Sequence, residues 1–254
     1  MNSLETLPNN LSGASYARRL EVPGVLHLVE LRVSSGQRRL QEFHSRLRAV
    51  AALHGSMYSH GVQLCGYNIL SDRALLVVIP LQFRAITLAV TEGVQSPVRR
   101  FNKANHRVLP FWERRYSACP FADEVAWRVL RFVDLASVPE GGEPLDPHAL
   151  SSAAEHAGLL QHGLLTAPPE RLPSPMAWRA FLFSHEDEQF VQALKLCLRT
   201  GRPFGPLPFV QRVEEACGRH IGSSWLKWPR LFEGCDRMPN ACRTQPLYAN
   251  AGAA

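Results

Sequence analysis

Hydrophobic patterning is densest between residues 62 and 80, where two apolar stretches flank a short polar break. In residues 62–69, Val62, Leu64 and Ile69 alternate with polar or small positions, the signature of a strand with two different faces. The run Ala74, Leu75, Leu76, Val77, Val78, Ile79 is instead continuously apolar and ends at Pro80, which predicts a strand buried on both sides. With Leu70 to Arg73 as the turn, the two form a hairpin expected at the centre of a sheet.

The flanking pattern supplies the rest of the domain. After a Pro23-Gly24 turn, residues 25–32 alternate as a first strand. Leu40, Phe43, Leu47, Val50 and Leu53 recur at helical spacing and predict a helix over 37–54, with Gly55 as its stop. Residues 81–94 carry Phe83, Ile86 and Val90 on one helical side. Ser96 before Pro97 reads as an N-cap and first helical residue, opening a further helical piece to about residue 106, and residues 111–119 suit a fourth strand.

Strand, helix, strand, strand, helix, strand is the order of an α+β fold, a ferredoxin-like antiparallel sheet with helices on one face. An amphipathic helix over 123–135 follows, then proline- and glycine-rich breaks at 138–147 and 168–175. Helical segments are expected at 148–165, 186–199 and 208–218. The expected organisation is a loose N-terminus (1–16), the ferredoxin-fold domain (17–137), a linker with a helical segment (138–175), a helical C-terminal region (176–222) and a tail (223–254).

Composition adds a size and a charge. The chain has 254 residues, 46% of them hydrophobic, enough for a sizeable core. Its formal net charge of +6 favours an anionic partner. No apolar run reaches the roughly twenty residues of a membrane span, and the first residues lack a signal-peptide pattern, so a cytoplasmic protein without membrane attachment is expected. The six cysteines lack zinc or close-pair spacing and read as reduced and structural.

The charge is concentrated. Between residues 96 and 116 lie Arg99, Arg100, Lys103, Arg107, Arg114 and Arg115 against the single acid Glu113, interleaved with Phe101, Phe111, Trp112 and Tyr116. Cations that neutralise phosphates beside rings that stack on unpaired bases make a nucleic-acid-binding pattern. Arg18 and Arg19 extend it at the start of the domain.

Four stretches resemble one family, the REP-associated tyrosine transposases and, more broadly, the single-strand insertion-sequence transposases with a histidine-hydrophobic-histidine nuclease fold. These are Ala17-Arg18-Arg19-Leu20 with Pro23-Gly24; Gly66-Tyr67 with the strand ending at Pro80; Phe101-Asn102-Lys103 with Phe111-Trp112-Glu113-Arg114-Arg115-Tyr116; and the segment from Thr200 to Phe209 with Val213-Glu214. The third is the most specific. The resemblance covers residues 17–137 and, weakly, 198–220.

Members of this family cut one DNA strand with a nucleophilic tyrosine, aided by a divalent ion such as magnesium that two histidines hold. The positions matching the histidines here are Arg73 and Leu75, and the position matching the tyrosine is Pro97. A guanidinium has no lone pair to donate and leucine has no ligand atom. The resemblance therefore implies a bacterial, mobile-element-derived protein that binds single-stranded or hairpin DNA without cleaving it and needs no cofactor. Two alternatives are an active nuclease with a substitute site around Asp72 and His27 or His106, and a non-catalytic RNA- or protein-interaction module. The oligomeric state is not specified by the sequence.

Overall fold

The computed structural model describes residues 19–34, 40–93, 112–113, 115–138, 145, 149–161, 163–166, 174–184, 187–221 and 232. Strand β1 (His27–Arg32) is followed by helix α1 (Phe43–Ser59), the hairpin β2 (Val62–Ile69) and β3 (Arg73–Pro80), helix α2 (85–93) and strand β4 (Ser117–Pro120). The four strands form one sheet in the order β2-β3-β1-β4, antiparallel throughout. This is the α+β arrangement expected from the pattern, and the hairpin strands lie at the expected positions.

β3 is continuously apolar because it is paired on both edges and covered on both faces. Leu76 and Val78 join Val29 and Leu31 of β1, Val50, Leu53 and Met57 of α1, and Ile86 and Val90 of α2 in one core. Leu75 and Val77 point the other way, into a second core with Leu28 and Cys119. The second core is filled by the C-terminal helices: α3 (Ala126–Asp134), α4 (Ala153–His156), α5 (Pro175–Leu182), α6 (Glu188–Thr200) and α7 (Leu207–Cys217). The sheet thus has helices on both faces, α1 and α2 on one and the C-terminal region on the other.

Several boundaries differ from the pattern reading. α1 starts at Phe43 and runs through Gly55, which is interior; the left-handed turn that ends the helix is at Gly61, φ 66°. The extra turn is held by packing, since Ser56 and Met57 are buried and the Ser56 hydroxyl donates to Ala89 O at 2.8 Å. Phe43 and Leu47 remain about two-fifths exposed, so the buried side of α1 is narrower than its apolar spacing suggests. Residues 81–84 are a turn with Arg84 at φ 65°, which leaves Phe83 exposed rather than packed beside Ile86.

The fourth strand is interrupted. Trp112 bridges Val33 and Glu113 N donates to Arg32 O, but regular pairing with β1 resumes only at Ser117. The helix expected over 148–165 is only one turn, α4, because Leu150 and Ser152 bond to β2 instead: Ile69 N donates to Leu150 O and Ser152 N to Tyr67 O, both at 2.9 Å. Thr166 N likewise donates to Leu64 O. Residues expected in a linker therefore cover the outer edge of β2, which would otherwise expose unpaired backbone groups. The helical piece predicted over 96–106 lies outside the described residues.

Two close contacts fasten the C-terminal layer to the sheet. A Cβ at Gly66 would meet Leu130 Cδ2 of α3 at 2.5 Å, so any larger residue there would force the Leu130 side chain or its helix to shift. Asn68, fully buried, donates through Nδ2 to Val133 O at 2.8 Å and to Asp134 O at 3.2 Å, capping the last carbonyls of α3.

Candidate nucleic-acid interface

Antiparallel register places Arg32 of β1 directly opposite Arg73 of β3. Like charges in that position repel. Glu30 lies two residues before Arg32 on the same face of β1; its carboxylate accepts from Arg32 Nε at 3.0 Å and lies 3.5 Å from Arg73 Nη1. The hydrogen bond to Glu30, reinforced by its charge, raises the Arg32 pKa further. One buried carboxylate thus serves two guanidinium groups, and Asp72, 3.6 Å from Arg73 Nε, adds a second carboxylate beside Arg73.

This trio forms one side of a cleft of about 760 Å³ on the sheet face that carries the C-terminal helices. Arg115 joins from the approach to β4, and Lys195 and Arg199 come from α6. Glu113 is the second acid, so five cations and two carboxylates line the cleft. Leu75, Phe132, Ala136 and Leu196 form its apolar part. Lys195 and Arg199 are exposed and make no ion pair among the described residues.

Of the residues singled out from the sequence, Arg73, Leu75 and Arg115 meet in this cleft. Arg18, Pro97, Arg99, Arg100, Lys103, Arg107 and Arg114 lie outside the described residues. Trp112 is only 6% exposed and packs in the core shared with α1 and α2, so its ring presents no free face for a base. Tyr116 is also buried; its hydroxyl donates to Glu21 Oε1 at 3.0 Å and lies 2.9 Å from Thr87 Oγ1. Arg19 covers the Tyr116 ring at 3.9 Å and donates through Nε to Tyr116 O at 3.1 Å. Arg19 and Tyr116 therefore form a packed structural unit. The expected stacking role has no exposed ring at either position.

Neither Tyr67 nor Tyr116 is set up as a nucleophile. Tyr67 and Tyr116 are buried, and burial raises both phenol pKa values well above their usual range. The positions matching the metal-binding histidines do not fit a divalent ion: Arg73 is a cation paired with Glu30, and Leu75 is a buried core residue. His27 is fully buried with both ring nitrogens engaged, Nδ1 donating to Val25 O and Nε2 accepting from Val22 N. Burial lowers its pKa to about 4, so it is a neutral core residue. Among the described residues no three His, Cys, Asp or Glu side chains cluster as metal ligands do.

Ser152, Asp134 and His156 lie together but are not wired for acyl transfer. His156 Nδ1 bonds Asp134 Oδ2 at 2.8 Å, while its Nε2 faces Cys65 O at 2.9 Å. Ser152 Oγ donates to the other carboxylate oxygen, Asp134 Oδ1, at 2.6 Å. The serine hydroxyl is bonded to the carboxylate and not to the imidazole, whose two nitrogens are both engaged elsewhere, and all three residues are buried.

Pattern reading missed Arg32, Lys195 and Arg199. The periodicity held part of the signal: Gln192, Lys195, Leu196 and Arg199 fall at i, i+3, i+4 and i+7, one face of α6. What it lacked was the docking of that face over β1 and β3.

No protein-family model matches the chain, and no curated protein matches it. Among solved structures it is similar to a REP-associated tyrosine transposase bound to a REP hairpin, with 13% sequence identity and a TM-score of 0.44 over 59% of this chain and 88% of that one.

Proposed function

We propose that this protein binds single-stranded or hairpin DNA and does not cut it. The observation that carries this reading is the meeting in one cleft of Arg115, from the basic and aromatic run, with Arg73, Arg32, Lys195 and Arg199. Cations gathered at one concave site hold phosphates, whereas a merely solvated charged face scatters them. Absence of cleavage is supported by Leu75 in the apolar core, by Arg73 where a metal ligand is needed, and by the buried hydroxyls of Tyr67 and Tyr116.

A gel-shift with hairpin, linear single-stranded and duplex DNA, with and without magnesium, tests both halves. Salt-sensitive binding of the hairpin or single strand with no shortened product is expected. A covalent protein-DNA adduct overturns the non-cutting half. Salt-independent binding, or none, rejects DNA as the partner.

A further inference from the structure

We propose that the cleft between β1, β3 and α6 takes one unpaired nucleotide unit, with its phosphate among Arg32, Arg73, Lys195 and Arg199 and its base against Leu75, Phe132 and Leu196. This deepens the function proposed above and rests on nucleic acid being the partner.

Three observations converge on it. The first is the surplus of cations along the cleft, five in its lining against Glu30 and Glu113, with Asp72 beside Arg73 as a third carboxylate. A bound anion between the strands and α6 offsets that surplus. The second is the pair Lys195 and Arg199, four residues apart on one face of α6 and without an ion pair among the described residues. Neither carboxylate of the cleft is ion-paired with them: Glu30 is paired with Arg32 and Arg73, and Glu113 makes no ion pair with either α6 cation. The third is composition and size. About 760 Å³ lies within the roughly 300–1,000 Å³ of small-ligand pockets. An apolar floor beneath a cationic rim matches a nucleotide, which has a flat, weakly polar base at one end and a charged phosphate at the other.

Single-stranded DNA and a free nucleotide present the same chemistry, and the test separates them. Lys195→Gln/Arg199→Gln changes two exposed side chains on a helix surface, and a thermal melt checks that the variant is folded. Lys195→Glu/Arg199→Glu provides a graded second variant. Each protein is titrated across a salt series with a labelled single strand, with an abasic strand of equal length, and with a nucleoside monophosphate.

If the cleft holds the phosphate, the Gln variant weakens strand binding and lowers the salt slope by about 1.4, two contacts at about 0.7 each, and the Glu variant weakens it further. The abasic strand binds more weakly than the intact one to the wild type. Unchanged strand binding by both variants overturns the cleft assignment while leaving DNA binding in place. If the wild type ignores the strand but binds the monophosphate, and the Gln variant does not, the cleft assignment stands and the DNA reading falls. Equal affinity for abasic and intact strands overturns the base-binding half. Binding of neither ligand overturns both.

Discussion

The imidazole of His156 sits 2.8 Å from the carboxylate of Asp134 in a fully enclosed site, and its second nitrogen faces the carbonyl of Cys65. With an acceptor at each nitrogen the ring carries two protons, so this is a buried ion pair. It joins α4 to α3 and to β2, and Trp178 of α5 donates to the same carboxylate oxygen at 3.2 Å. One charge pair therefore ties three C-terminal elements to the sheet.

Breaking that pair is expected to be costly. His156→Leu leaves Asp134 as an uncompensated buried charge and should lower stability by about 3–5 kcal/mol in urea denaturation. Burial disfavours the charged ring, but the Asp134 charge and the hydrogen bonds to Asp134 and Cys65 together outweigh it, with Glu155 adding to them, and the folded-state pKa is raised. Stability from this residue is thus fully present below the unfolded value of about 6.5 and is lost as pH rises through the folded value. His156→Leu should remove that alkaline-side decline.

His27 works in the opposite direction. Its folded pKa of about 4 lies below the unfolded value of 6.5, so the unfolded chain takes up a proton first. Stability should be unaffected by this group above pH 6.5 and fall by about 3 kcal/mol as pH drops to 4. His27→Gln should flatten that acid limb, read from denaturation midpoints between pH 7 and 4.

Gly66→Ala is expected to destabilise by about 1–3 kcal/mol, because the added methyl meets Leu130 Cδ2 in a packed core. Truncating Leu130 to Ala makes room. The double variant should therefore lose less stability than the two single losses combined, which a double-mutant cycle measures. Strict additivity would mean that the helix moves away instead.

Trp112→Ala should lower thermal stability by about 3–5 kcal/mol, as for other buried large rings, without altering the salt slope of DNA binding. Arg114→Gln/Arg115→Gln should do the reverse: the protein stays folded, single-strand affinity falls, and the slope flattens by about 0.7 per lost contact. A Trp112 variant with normal stability but weakened binding would return this ring to the interface.

Local chemistry already decides much of this protein. Alternation in β1 and β2, the continuous apolar run of β3, the amphipathic α3, and α6 and α7 ending at Gly201 and Gly218 are all legible along the chain, because each is set by side-chain period and by neighbours a few residues away. The sequence also shows that Arg73 and Leu75 stand where the resemblance calls for histidines, since ligand chemistry belongs to the side chain itself. Contacts between distant segments are different in kind. Whether Trp112 and Tyr116 face solvent or core, whether residues 150–166 hang free or bond along β2, and which face of α6 lies over the Arg32–Arg73 pair all depend on which surfaces remain uncovered once the sheet has formed. An aromatic beside arginines reads alike as a stacking platform or as core. Burial on the α1 and α2 side decided for core at both rings, and docking of α6 on the opposite side built the cleft.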